Sequence, residues 1–491
     1  MNNPDGLLHK AVRGGLWLFS LRLTQQILLG VRLVVLARLL SPNDFGLMGI
    51  ALLTMTVVES LSQTGFDVAL IQRKERTEDY LDTAWTVEIL RGLGLFGILQ
   101  VLASPAATFF DSPDAEMLIR VVGLSLVFRG FLNIGTVFFR KELEFGKQFA
   151  FEFSGRVADF VVAIVAGVIL KNAWVLVLAY VSADFIRVAA SYVIHPYRPR
   201  LKLEIGKARE LFDFGKWILG SSALVFFLNR GDKALVGRLL GTTMLGFYEM
   251  AYKISNLSAT EFALVISQVT IPAYSKLQEK IGRLREGYLR VLQATAFFSI
   301  PLAGLIVVLA PELTRTLLGE KWLTAIPAMR VLALGGALRS IVATTGPVYT
   351  GIGKPRIMTK YQAIQLAILL ILVYPLTHYL GITGTATAVT LAAFMPVFLF
   401  LGGVIRIIKC PVATPLRLLA FPLGATLVAC IPVIALKMIG IGGESPVPGF
   451  ALLVGCYGAT YLAFTHLAGR HWGYNVTPLV REVINSIRRR R

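Results

Sequence analysis

From Gly14 to Gly469 the chain is a series of long apolar runs separated by short polar spacers, and alternate spacers are rich in Lys and Arg. An apolar run of about 20 residues is long enough to cross a bilayer as a helix. Backbone in lipid must satisfy its own hydrogen bonds, so runs of this length fold as helices rather than open strands. The pattern predicts an all-α polytopic membrane protein with about fourteen transmembrane helices. The expected spans are residues 14–38, 45–66, 83–104, 117–138, 148–169, 173–194, 214–238, 243–272, 289–311, 325–350, 358–380, 383–405, 415–437 and 448–468. Only 16% of residues are charged and 55% are hydrophobic, against about 25% charged in a soluble domain.

The spacers test this division. One set carries Lys10 and Arg13; Arg73, Lys74 and Arg76; Arg140, Lys141 and Lys147; Arg198, Arg200, Lys202, Lys207 and Arg209. It continues through Lys276, Lys280, Arg283 and Arg285, then Lys354, Arg356 and Lys360, then Arg406, Lys409 and Arg417, and ends at Arg488 to Arg491. The other set offers only Lys171, Arg315, Lys321 and Lys437. Cytoplasmic loops collect basic residues, so an even number of spans with both termini in the cytoplasm is expected. The net charge of +20 belongs to these loops. The longest cytoplasmic segment, 195–212, is too short for a soluble domain, which argues against nucleic acid as a partner. The first apolar stretch is too long for a cleavable signal and is expected to be a retained span. Cys410, Cys430 and Cys456, and the five histidines, have no metal-ligand spacing; no metal or cofactor is expected.

Residues 15–51 echo residues 215–251 without a gap: Gly15, Trp17, Arg38, Leu39, Leu40, Gly46 and Ala51 match Gly215, Trp217, Arg238, Leu239, Leu240, Gly246 and Ala251. Six spans separate the two segments, and an even number restores direction. Two parallel six-helix repeats around a central cavity follow, with two extra C-terminal helices. The expected divisions are 1–200, 201–409, 410–470 and a basic tail, 471–491.

Ionisable side chains within spans cost a few kcal/mol, so they usually face a cavity or each other. The substrate-binding candidates are Arg22, Gln25, Arg32, Arg91, Arg129 and Arg156. Arg22, Arg32 and Arg129 have no acidic residue three or four positions away on their own helix, which suits them to an anion-attracting cavity. Glu152, Arg156 and Asp159 share one helix face, and Glu88/Arg91 and Asp184/Arg187 are neighbours at i, i+3; these can simply neutralise one another. Guanidinium groups match phosphate oxygens in bidentate fashion. Under the 200-residue offset Arg32 corresponds to Asp232, and the two could pair. Glu59, Glu88, Glu152, Asp159 and Asp184 are candidate carriers for a coupling ion, a proton or sodium.

The stretch GGLWLFSLRLTQQILLGVRLVVLARLLSPNDFGLMGIA resembles the start of Wzx-type polysaccharide exporters of the MOP flippase superfamily, and so do NRGDKALVGRLLG, IPAYSKLQ, LLGEKWLTAIPAMRVLALGG and GPVYTGIGKPRIM. The resemblance, closest to the WzxC-like branch, implies alternating-access export of undecaprenyl-pyrophosphate-linked oligosaccharide units across the bacterial inner membrane, with no enzymatic activity. A glycan polymerase and a chain-length regulator are the partners it implies. It places Asp232 in a recurring pattern, and a gating or structural role is expected for it and its neighbours Arg230 and Lys233. Two alternatives stay open at this point: a cation-coupled multidrug antiporter of the same superfamily, and a membrane glycan polymerase or ligase.

Overall fold

The computed structural model describes residues 24–60, 62, 66, 70, 77–142, 144–256, 270, 274–275, 277–440, 446–469, 472 and 474. Among them, helix occupies each of the fourteen predicted intervals. We number these α1 (residues 24–39), α2 (Pro42–Ser60), α3 (Glu78–Phe109), α4 (Ala115–Gly130 continued by Ile134–Lys141), α5 (Phe145–Leu170) and α6 (Trp174–Ile194). A long element, Ile205–Ser255, contains α7 (205–240) and α8 (242–255), and Pro355–Ile407 contains α11 (355–380) and α12 (382–407). Between them come α9 (Ile281–Leu313) and α10 (Ile326–Ala343, followed by the short turn Gly346–Gly351); α13 (Ala413–Met438) and α14 (Pro446–Gly469) close the series. Two compact units emerge, Met1–Gly246 and Phe247–Arg491.

The chain reverses between α7 and α8 at Gly241 (φ 83°) and between α11 and α12 at Gly381 (φ 60°). Only glycine takes such angles without a Cβ penalty, which is why helix runs to within one residue of each break. α4 is bent by 72°. At the bend the Asn133 side chain accepts from the Gly135 N–H at 3.0 Å and donates to the Tyr197 carbonyl at 2.7 Å, while its own N–H donates to Ser191 Oγ at 3.1 Å. The backbone groups released by the kink are thereby satisfied, as burial demands.

The segment from His195 to Glu204 is extended and lies along the start of α3. Tyr197 Oη and the Arg200 N–H both donate to Asp82 Oδ1, at 2.6 and 2.9 Å. The Lys202 N–H donates to Thr86 Oγ1 at 3.0 Å. A segment with no strand beside it finds its partners on a helix surface instead.

In the second unit prolines organise the packing. Pro301 lies inside α9 and has no N–H, which leaves the Phe297 carbonyl without its helical donor. Tyr461 Oη of α14 donates to that carbonyl at 2.8 Å. Tyr457 Oη donates to the Pro301 carbonyl at 2.7 Å and Tyr474 Oη to that of Gln293 at 3.1 Å. Three tyrosines thus meet carbonyls four residues apart along one face of α9 and dock α14 and the residues just beyond it there. Elsewhere, large apolar side chains such as Val193 (85% exposed) and Ile371 (71%) face outward, as a lipid-facing surface requires.

Candidate functional site

The intramembrane charges of the first unit form three groups of ion pairs: Glu59, Arg129, Asp184 and Arg187 on α2, α4 and α6; Arg32 and Asp159 on α1 and α5; and Glu88 and Arg91 on α3. The first group is the largest. Asp184 of α6, only 4% exposed, is its centre. Its Oδ2 accepts from Arg129 Nε of α4 at 3.0 Å, and its Oδ1 accepts from Arg187 Nη1 at 3.0 Å. Arg129 also donates through Nη1 to Glu59 of α2, at 2.9 Å to Oε1, and through Nη2 to Tyr180 Oη of α6 at 2.6 Å. Arg32 of α1 approaches Asp159 of α5, with Nε 2.9 Å from Oδ2. Arg91 of α3 pairs with Glu88 at 2.6 Å and donates from Nε to the Ser62 carbonyl at 2.8 Å. Asp159 and Asp184 lie midway along α5 and α6 and Glu59 near the end of α2; where polarity is low, each pair is strengthened and any group left alone is penalised.

Arg32 and Arg129, which have no acidic residue three or four positions away on their own helix, take acidic partners from other helices. Spacing along one helix sees only partners three or four residues away, whereas these lie 127 and 55 or 70 positions distant in sequence. Arg32 takes Asp159 and not the offset-related Asp232. The shared face of Glu152, Arg156 and Asp159 does not neutralise itself either. Asp159 turns to Arg32, and Glu152 accepts from Gln148 at 3.0 Å and stands 3.8 Å from Arg140. The i, i+3 pairs Glu88/Arg91 and Asp184/Arg187 do form.

Arg156 is what remains. It is exposed, and among the described residues no hydrogen bond or ion pair engages it; its recorded influences are the fields it shares with Arg32 and Asp159. Among Arg32, Arg91, Arg129, Arg156 and Arg187, Arg156 is the guanidinium that pairs with no carboxylate among the described residues. Gln25 is half-buried on α1. Arg22 lies outside the described residues. Asp232 and Lys233 of α7 are buried at 2% and 4% exposure, and Arg230 is half-buried.

Tyr180 was not anticipated. A tyrosine in an apolar run carries no sequence signal for a role in an ion-pair network; only its place one turn before Asp184 hints at it.

Comparison with known proteins gives the geometry a family. Residues 35–327 match the family described as "Polysaccharide biosynthesis protein". The chain is 26% identical over 366 residues to the "Lipopolysaccharide biosynthesis protein WzxC" of Escherichia coli (strain K12), covering 73% of each. It is 25% identical over 382 residues, 77% of this chain and 78% of the relative, to an "Uncharacterized membrane protein in cps region" of Klebsiella pneumoniae. Its fold is similar to that of a solved structure of "Lipid II flippase MurJ, inward closed conformation", with a TM-score of 0.76 and 15% identity over 92% of this chain and 99% of the other. The fold is therefore like that of the lipid II flippase structure, and the chain belongs to the polysaccharide biosynthesis protein family.

Proposed function

We propose that this multi-pass membrane protein is a transporter, not an enzyme, that moves lipid-linked oligosaccharide units across the bacterial inner membrane by alternating access. Undecaprenyl pyrophosphate is the carrier we assign, and both termini face the cytoplasm, where the basic loops belong. One observation carries this reading: the family match spans residues 35–327, the stretch that holds Glu59, Arg91, Arg129, Arg156 and Asp184.

The polar head of such a substrate brings phosphate charge into the membrane. Arg156 meets it first, because its guanidinium is not committed to a carboxylate. Arg32 and Arg129 follow by exchange, a phosphate oxygen replacing Asp159 or Glu59. A carboxylate released in this way in a low-polarity interior takes up a proton or a sodium ion, which would couple transport to an ion gradient. The uncommitted Arg156 guanidinium disfavours the cationic substrates of multidrug antiporters.

The test is deletion of the gene in a strain with no second family member, followed by analysis of lipid-linked glycans. Oligosaccharide on its lipid carrier accumulates facing the cytoplasm, and the wild-type gene restores export. Arg156→Gln reaches the membrane in normal amount but restores little export. Undiminished glycan export after deletion ends this reading.

A further inference from the structure

The second unit holds a groove unconnected with the charge network. α10 follows α9 through a short connection, so the last turns of α9 and the first turn of α10 lie at one end of the bundle. Lys437, next to last in α13, joins them there: its Nζ donates to the Val308 carbonyl at 3.1 Å and pairs with Glu312 at 2.8 Å. The three helices form a shallow, open groove of about 550 Å³ whose walls include Val307, Cys430, Ile434 and Met438, with Arg330 and Lys437 at its polar edge.

Arg330 is unusually placed. Pro311 cannot donate to the Val307 carbonyl, and Arg330 Nε fills the vacancy at 3.1 Å. The contact fixes the guanidinium plane over the groove, and no described residue bonds its Nη1 or Nη2. An arginine near a helix end often snorkels toward water. Here it is anchored at its Nε and offers two terminal amines above apolar walls. Arg330 and Lys437 set against Glu312 leave one net positive charge. Arg330 is four residues into α10, about 6 Å along the axis from its start.

We propose that this groove binds an anionic phospholipid from the leaflet at that end of the bundle. The two free amines of Arg330 hold its phosphate, Lys437 flanks it, and an acyl chain lies along Val307, Ile434 and Met438. Apolar walls open to the bilayer suit an acyl chain, and the single net cation selects an anionic head over a zwitterionic one.

Native mass spectrometry of the full-length protein in mild detergent tests this, with phosphatidylglycerol and phosphatidylethanolamine offered at equal concentration. The unaltered chain should retain one phosphatidylglycerol with about fivefold preference, the advantage of one basic side chain near an anionic lipid. Arg330→Gln should lose the preference and Arg330→Lys should keep part of it. Met438→Glu adds a like charge at a rim residue that is 84% exposed, disturbs no buried contact, and should lose the preference as well. Equal retention of the two lipids by the unaltered chain overturns the proposal. So does an undiminished preference in Met438→Glu, whatever Arg330→Gln does to folding.

Discussion

Gly46 and Gly246, 200 positions apart in sequence, each rest against the other's helix backbone. A Cβ on Gly46 would overlap the Thr242 carbonyl, and one on Gly246 would overlap the carbonyl of Pro42, itself 200 positions before Thr242. The amide nitrogens are exchanged in the same way: the Gly46 Cβ position is 3.2 Å from Gly246 N, and the Gly246 Cβ position 3.1 Å from Gly46 N. Thr242 Oγ1 bonds Asn43 Oδ1 at 2.5 Å across the crossing. Such reciprocity is a local two-fold relation at this crossing.

This crossing predicts that Gly46→Ala and Gly246→Ala are both costly, because small residues are what let membrane helices approach so closely. Overpacking of this kind costs about 1–3 kcal/mol. Since one separation of the backbones relieves both overlaps, the double variant should lose less than the two single losses together. Thermal unfolding in detergent measures all three. A midpoint unmoved by either alanine contradicts the close contact.

Asp184 and Arg156 should part company under mutation. Asp184→Asn leaves the half-buried guanidiniums of Arg129 and Arg187 short of a counter-charge, a loss of about 1–3 kcal/mol. Its thermal midpoint should fall sharply, and export should fall with it. Arg156→Gln removes an exposed side chain without an ion pair and should change stability by no more than about 0.5 kcal/mol, while export falls. If Arg156→Gln destabilises as much as Asp184→Asn, the division between holding and working charges is wrong.

The pair Tyr461 and Pro301 allows a cycle with a defined sign. Tyr461→Phe strands the Phe297 carbonyl and should cost about 1–3 kcal/mol. Pro301→Ala supplies the missing N–H and closes the helical bond itself. In that background Tyr461→Phe should therefore cost about 1 kcal/mol less than in the unaltered chain. Equal costs in both backgrounds, read from the same unfolding curves, would mean that the tyrosine hydroxyl does not stand in for the helix donor.

The span pattern was legible because lipid enforces it: apolar length and loop charge are properties of contiguous sequence. The place of the Gly46 and Gly246 crossing was legible, since both glycines fall in the matching segments 15–51 and 215–251. The residues of the charge network were legible too, since an arginine in an apolar run stands out. Their pairing was not. Arg129 reaches Glu59 and Asp184 across helices, and Arg32 reaches Asp159; no spacing rule along one helix encodes such distances. The tyrosine ladder on α9 was hidden for the same reason, though Pro301 marks the carbonyl that needs a donor.

His195, where α6 ends, gives the protein a pH dependence. Its Nδ1 accepts the Tyr197 N–H at 3.1 Å, and its ring stacks on Phe138 at 6.0 Å and 12°. Gly135 has no Cβ where the imidazole lies; an alanine there would collide with the ring. Burial holds the His195 pKa below its ordinary value, Lys147 and Arg198 add to this, and Glu144 and Glu142 oppose it. A depressed folded value means that the unfolded chain binds the proton more readily. Stability is therefore unaffected above the unfolded value of about 6.5, declines as the pH falls below it, and levels off once the lowered folded value is passed. Protonation of Nδ1 also removes the acceptor used by Tyr197. The thermal midpoint should accordingly drop between pH 7 and pH 5, and less so in His195→Asn. Gly135→Ala, by expelling the ring from its slot, should lower the midpoint at pH 7 and flatten its pH dependence. If Gly135→Ala keeps the full pH dependence, the slot does not set the protonation of His195.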